Sequence, residues 1–124
     1  YKTETQIWKV TGDIANSAGN LCLHLVGNLD TYIGATLGNS GYVRDRDSEF
    51  ALKDIPRSEL IKRIDSTIQT IQTVVPAISE AQLKSEYPLL VLKEKTTTEY
   101  FLIHLAMHLS YHLGQVNYHR RLTA

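Results

Sequence analysis

HLAMHLSYHLGQVNYH, residues His104–His119, carries four of the chain's five histidines, at 104, 108, 112 and 119, with apolar residues packed between them. An α-helix turns these positions onto one side. With His104 set at zero and about 100° per residue, Gln115 falls near ~20°, His108 near ~40°, His119 near ~60°, His112 near ~80° and Tyr111 near ~−20°. Leu102, Leu105, Leu109, Leu113 and Val116 fill the arc beside that stripe, so the period is helical and the polar stripe borders a core. The helix is expected from about Thr97 to Leu122. Thr96 and Glu99 stand in the positions of a capping box, and Arg120 and Arg121 suit the negative end of its dipole. Ala106, Ser110 and Gly114 form a line of small residues elsewhere on the helix, read as a close helix contact, with ordinary packing the favoured alternative.

Two more long helices are expected upstream. The segment from about Asn16 to Leu37, NSAGNLCLHLVGNLDTYIGATL, is apolar almost all round and reads as a central helix. Gly27, Gly34 and Ala35 let neighbours approach it closely, at a cost in helix propensity. From about Pro56 to Ile78, Leu60, Ile61, Ile64, Ile68, Ile71, Val75 and Ile78 keep the 3–4 spacing of one apolar face, with Asp54 and Pro56 as its start. Between these lie a Gly-rich, charge-alternating loop, GNSGYVRDRDSEF (38–50), and a crossing segment, SEYPLLVLKEKTTT (85–98), with an extended look around Pro88–Leu92. The opening YKTETQIWKVTGD reads as a short helix or the tail of a longer one. Three long helices make a thin bundle, and the expectation is one all-α domain over residues 1–124.

The totals narrow the function. Thirteen Lys and Arg balance thirteen Asp and Glu, so there is no basic surplus for phosphates, and nucleic-acid partners are not expected. A single Cys excludes an intrachain disulfide framework and fits a cytoplasmic protein. No apolar run approaches the roughly 18 residues that span a bilayer, so no membrane partner is expected.

The histidines carry the chemistry. Side chains four apart are neighbours on a helix, so His108 and His112 can share one ion. A metal site with an open position takes three protein ligands. The one histidine off the stripe, His24, sits inside the other apolar helix, and if the two helices pack together His24, His108 and His112 converge. A polar core network without metal fits the same spacing. Cys22, about 200° from His24 on the helix, faces elsewhere and reads as packing. HLSYH has no Glu beside its first His, which excludes the zinc-protease motif. His119 shares the stripe but lies about 16 Å from His108 along the axis, too far to join it as a ligand.

Taken together, NSAGNLCLHLVGNL, YVRDRDSEF and HLSYHLGQVNYHRR, in this order and spacing, resemble the DinB-like metal-binding four-helix-bundle superfamily, closest to a bacterial branch of it. The resemblance implies an up-down-down-up bundle with a divalent metal, zinc or nickel, on three histidines mapping to His24, His108 and His112. It places His104 and Gln115 as ring partners or substrate-facing groups, and Asn28 and Tyr111 as groups that orient substrate. It also suggests that Arg46 and Glu49 pair near the bundle mouth, with Trp8 and Tyr42 shaping its rim or packing. Relatives carry a helix before the segment matching QIWKV; without it an apolar groove is expected to stand open, explained either by a shortened chain or by compensation in a homodimer.

The resemblance implies a metal-dependent enzyme acting on a small molecule, by transfer of a low-molecular-weight thiol or by hydrolysis. A non-catalytic metal-binding or structural bundle is the alternative. DNA repair is disfavoured by the neutral charge.

Overall fold

The computed structural model describes residues 1–124, and it is an all-α bundle. α1 spans Glu4–Trp8, α2 Ala18–Leu29, α3 Arg46–Ala51, α4 Arg57–Val74, α5 Glu80–Lys84 and α6 Thr98–Leu122. α2 runs on into a π-helical turn at Asp30–Ala35, and a 3-10 turn at Val75–Ala77 closes α4. No helix is long and apolar enough to cross a membrane.

The three expected long helices are present, with shifted ends. α2 begins at Ala18 because the Ser17 hydroxyl accepts the Asn20 amide. Its C-terminal half is not plain α: Thr36 N–H reaches Thr31 O and Gly38 N–H reaches Ile33 O, the wider π register. Asp54 does not start α4. It holds a left-handed backbone (φ 57°), and Pro56 stands at the cap instead. The expected capping box at Thr96–Glu99 does not form; Thr97 is the cap and accepts the Tyr100 amide, while the Thr96 hydroxyl donates to Thr97 O. Two short helices add to the expected set. α3 forms inside the charged loop, capped by Asp45, and α5 carries a capping box of Ser79 and Gln82.

Contacts fix the helix directions. His24 of α2 meets His108 and His112 of α6, and Tyr32 further along α2 meets Phe101 earlier in α6, so the two run antiparallel. Leu23 packs with Leu60, Gly34 with Thr70 and Gly38 with Val74, so α2 and α4 run parallel. Parallel neighbours need a connection that returns along the bundle, and residues 39–56, with α3, make that return.

Only 24 of 124 residues are buried, so the core is thin and split in two. Ile7, Trp8, Leu23 and Leu60 form one cluster. Trp8 is core rather than rim: its Nε1–H donates to Ile55 O, and a Cβ at Gly19 would sit 2.6 Å from its ring. Leu29, Ile33, Tyr87, Phe101 and Leu105 form the other. There Tyr87, fully buried, stacks on Phe101 at 4.1 Å and donates its hydroxyl to Tyr32 O. Between them an apolar cleft of about 410 Å³ stands open, lined by residues such as Leu25, Leu60, Ile64, Ile68, Leu109 and Leu113. This is the expected groove. It leaves Leu113, expected in the core arc, half exposed, and Ile64 and Ile68 exposed as well.

Candidate metal centre

α2 and α6 bring His24, His108 and His112 together, each offering one ring nitrogen within 4.8 Å of the others. The Nε2 atoms of His24 and His108 are 3.3 Å apart, and those of His112 and His108 are 3.1 Å apart. Three imidazole nitrogens about 2.0–2.1 Å from one tetrahedral ion would be separated by about 3.3 Å. The observed spacing therefore suits ligands around a common ion.

Two of the three rings have partners that favour the tautomer such a site requires. His24 Nδ1 lies 3.1 Å from Glu49 Oε1, which can only accept, and 3.3 Å from Arg44 Nη2, which can only donate; the nearer carboxylate favours the proton on Nδ1 and the lone pair on Nε2. His112 Nδ1 donates to Gln115 Oε1 at 2.6 Å, with the same consequence. These partners fix ring orientation and raise ligand basicity. His108 Nδ1 is buried and has no partner. Without an ion its proton can sit on Nε2 and be donated to the Nε2 of His24 or His112; a bound ion would displace it and take all three lone pairs. The donor set thus fits a divalent metal.

The cationic partner of Glu49 differs from the one expected. Arg44, not Arg46, grips it in a two-pronged pair, Nε to Oε2 at 2.8 Å and Nη2 to Oε1 at 2.9 Å. Arg46 lies over the Phe50 ring at 5.6 Å. The reason is helical phase: α3 begins at Arg46, which turns that side chain away, while Arg44 is still in the extended return and reaches back. Gly27 makes the approach possible, since a Cβ there would collide with the Glu49 carboxylate. Asn20 holds the far end of α3, donating from Nδ2 to Glu49 O and Leu52 O at 2.9 Å each. Asn20, His24 and Gly27 thus form one edge of α2 that receives α3.

The other expected residues take varied places. His104 stacks on Phe101 at 5.7 Å, with its ring 6.4 Å from that of His108, and is not among the converging nitrogens. Asn28 is buried, and its Oδ1 has no partner. Tyr111 is exposed, edges His112 at 5.2 Å and accepts from Gln115 Nε2 at 3.4 Å. Tyr42 lies beside Glu49 in a small cavity of about 140 Å³. Cys22 lines the apolar cleft, where burial pushes its thiol up to about 11, so it stays a neutral packing group. His119 serves the fold: Nε2–H donates to Lys9 O and Nδ1 meets the Tyr1 hydroxyl, each at 2.7 Å, tying the first segment to the end of α6.

Burial disfavours the charged form of two of the three rings. It lowers the His24 pKa, against the opposing pull of Glu49. It lowers that of His108 to about 4, helped by the neighbouring His112 and His24. Neutral imidazoles are the form that binds metal.

A family model described as "Protein of unknown function (DUF1572)" matches residues 2–123. No curated protein and no solved structure is a significant match to the chain.

Proposed function

This chain belongs to the DUF1572 family, and from that membership and the three-histidine geometry we propose that it is a DinB-like bundle holding a divalent metal, zinc or nickel, on His24, His108 and His112. The single observation that carries the reading is the convergence of three Nε2 atoms at 3.1 and 3.3 Å, with the Nδ1 atoms of His24 and His112 turned onto Glu49 and Gln115. The helix directions agree, since α2 and α4 parallel and α6 antiparallel is what an up-down-down-up bundle requires of its last three helices.

Three protein ligands leave a coordination position open, and the half-buried His108 and His112 put it within reach of solvent. We assign the site to small-molecule chemistry, transfer of a low-molecular-weight thiol or hydrolysis. A divalent ion there supplies the Lewis acidity that makes a thiol or a water nucleophilic near neutral pH. The chain's own residues hold the ring tautomers through Glu49 and Gln115. Tyr111 and Asn28 flank the ligands as groups to orient a substrate.

A second reading is a metal-binding bundle without catalysis. It is favoured by the large cleft, which lies on the far side of α2 and α6 and touches none of the three histidines.

The first test is elemental analysis of untagged protein purified without added metal, beside a His108→Ala, His112→Ala double variant. About one ion per chain in the parent, lost in the variant, is the expected result. A parent that stays metal-free after zinc and nickel are supplied would return the cluster to a polar core network. With metal established, turnover of thiol-transfer or hydrolysis substrates separates the two readings.

A further inference from the structure

α6 is apolar on two faces, and only one is used by the fold. Phe101, Leu105 and His119 turn inward and are buried. On the opposite side Tyr100, Ile103, Met107, Tyr111 and Tyr118 stand 56–68% exposed. Gly114 lies in the same row, with nothing within 4 Å of where a Cβ would be. The small residues Ala106, Ser110 and Gly114 all face solvent within the chain, so neither packing inside the protomer nor a close contact within it accounts for them. A glycine inside a helix is unfavourable relative to alanine, and nothing in the protomer calls for one at 114.

We propose that this face is a homodimer interface, in which two copies of α6 pack antiparallel across a two-fold axis passing between residues 110 and 111. The row is self-complementary under that operation. Met107 of each copy falls opposite Gly114 of the other, a large side chain over an open backbone. Ile103 falls opposite Tyr118, Tyr100 opposite Arg121, and Ser110 opposite Tyr111. The row 100, 103, 107, 110/111, 114, 118, 121 advances in steps averaging about 3.5 residues, the period of a left-handed helix pair.

Charge points to the same partner. Glu99 and Arg121 are exposed, and neither has an intrachain ion pair or side-chain hydrogen bond. Along one helix they lie about 33 Å apart, so they cannot meet within a chain. Across the antiparallel axis they become neighbours at both ends of the seam. The area is also adequate. At about 200 Å² for a full aromatic side chain, the five exposed residues present roughly 600 Å². Each partner of a standard-size interface buries about 800 Å², which flanking side chains complete.

Sedimentation equilibrium over a concentration series tests this directly. The parent is expected at twice the chain mass. Gly114→Leu improves helix propensity and meets nothing within the protomer, yet it fills the space Met107 of the other copy needs. It and Met107→Glu are each expected to raise the dimer dissociation constant by about tenfold or more, with the circular dichroism spectrum unchanged. Glu99→Arg and Arg121→Glu each weaken the dimer, and the double swap restores it, because the pair forms only between copies. A parent that stays monomeric throughout overturns the proposal. So does a dimer indifferent to both Gly114→Leu and Met107→Glu, and failure of the double swap to restore association overturns the antiparallel arrangement.

Discussion

Glu49 is the residue on which the candidate site turns, because it answers to His24 and Arg44 at once. Its carboxylate is buried, and removing one member of a buried ion pair leaves the other charge uncompensated. Glu49→Gln keeps the shape but gives His24 Nδ1–H a weaker acceptor. Metal affinity, measured by chelator competition, is expected to fall about 10–100-fold, while Arg46→Ala leaves it unchanged. A second expectation concerns protons. His24 and His108 have lowered pKa values in the fold, so between about pH 6.5, the ordinary imidazole value, and about 4 the unfolded chain binds more protons than the native one. The stability of the metal-free protein is therefore fully present above that window and is lost as pH falls through it. Thermal melts in chelator from neutral pH to pH 5 are expected to drop, and to drop less for His108→Gln. That His108 and His112 share a face was legible in the sequence because helical geometry is fixed once the period is known, whereas His24 joins them only through the packing of α2 on α6. Arg44 was not legible, since its choice over Arg46 depends on where α3 starts, and that depends on Asp45 accepting the Ser48 amide.

At the scale of elements, long periodic segments were readable and their ends were not. The row of Leu60, Ile64, Ile68 and Ile71 could only be a helix face, but several residues near each end could serve as caps. Thr96 and Thr97 show the ambiguity. Either could cap α6, and the antiparallel bridge between Glu86 and Thr97 decides it. That bridge holds the backbone through Tyr87 N–H to Thr96 O and Thr98 N–H to Ser85 O, which leaves Thr97 facing the first turn. Thr97→Ala is expected to cost about 1 kcal/mol in chemical denaturation. Thr96→Ala is expected to stay within about 0.5 kcal/mol. α3 was hidden for a related reason: RDRDSEF is polar enough to pass for a loop, and only docking against Asn20 and Gly27 gives its helix something to pack on. The π turn at Asp30–Ala35 carries no pattern that periodicity can detect, because the same residues satisfy an α register.

At the scale of the whole molecule, the thin core makes ligand binding a large share of stability. The bundle holds two small apolar clusters separated by an open cleft, and the three histidines bridge α2 to α6 on the opposite side. An ion on those nitrogens would cross-link the two central helices, and the unfolded chain has no preformed equivalent. Linkage gives the size of the effect: at a free metal concentration of about 100 times the dissociation constant, the native state gains about 2.7 kcal/mol. For a chain of this length that corresponds to a rise in Tm of roughly 10 °C. The measurement is a thermal melt of the metal-free parent with and without zinc or nickel, beside the His108→Ala, His112→Ala variant. The parent is expected to shift by that amount and the variant to stay in place. The quantity compared is the shift on adding metal, since removing two imidazoles from the crowded apo cluster changes the starting Tm by itself. Equal shifts in both proteins would locate the metal away from the three histidines and remove the basis for assigning chemistry to them.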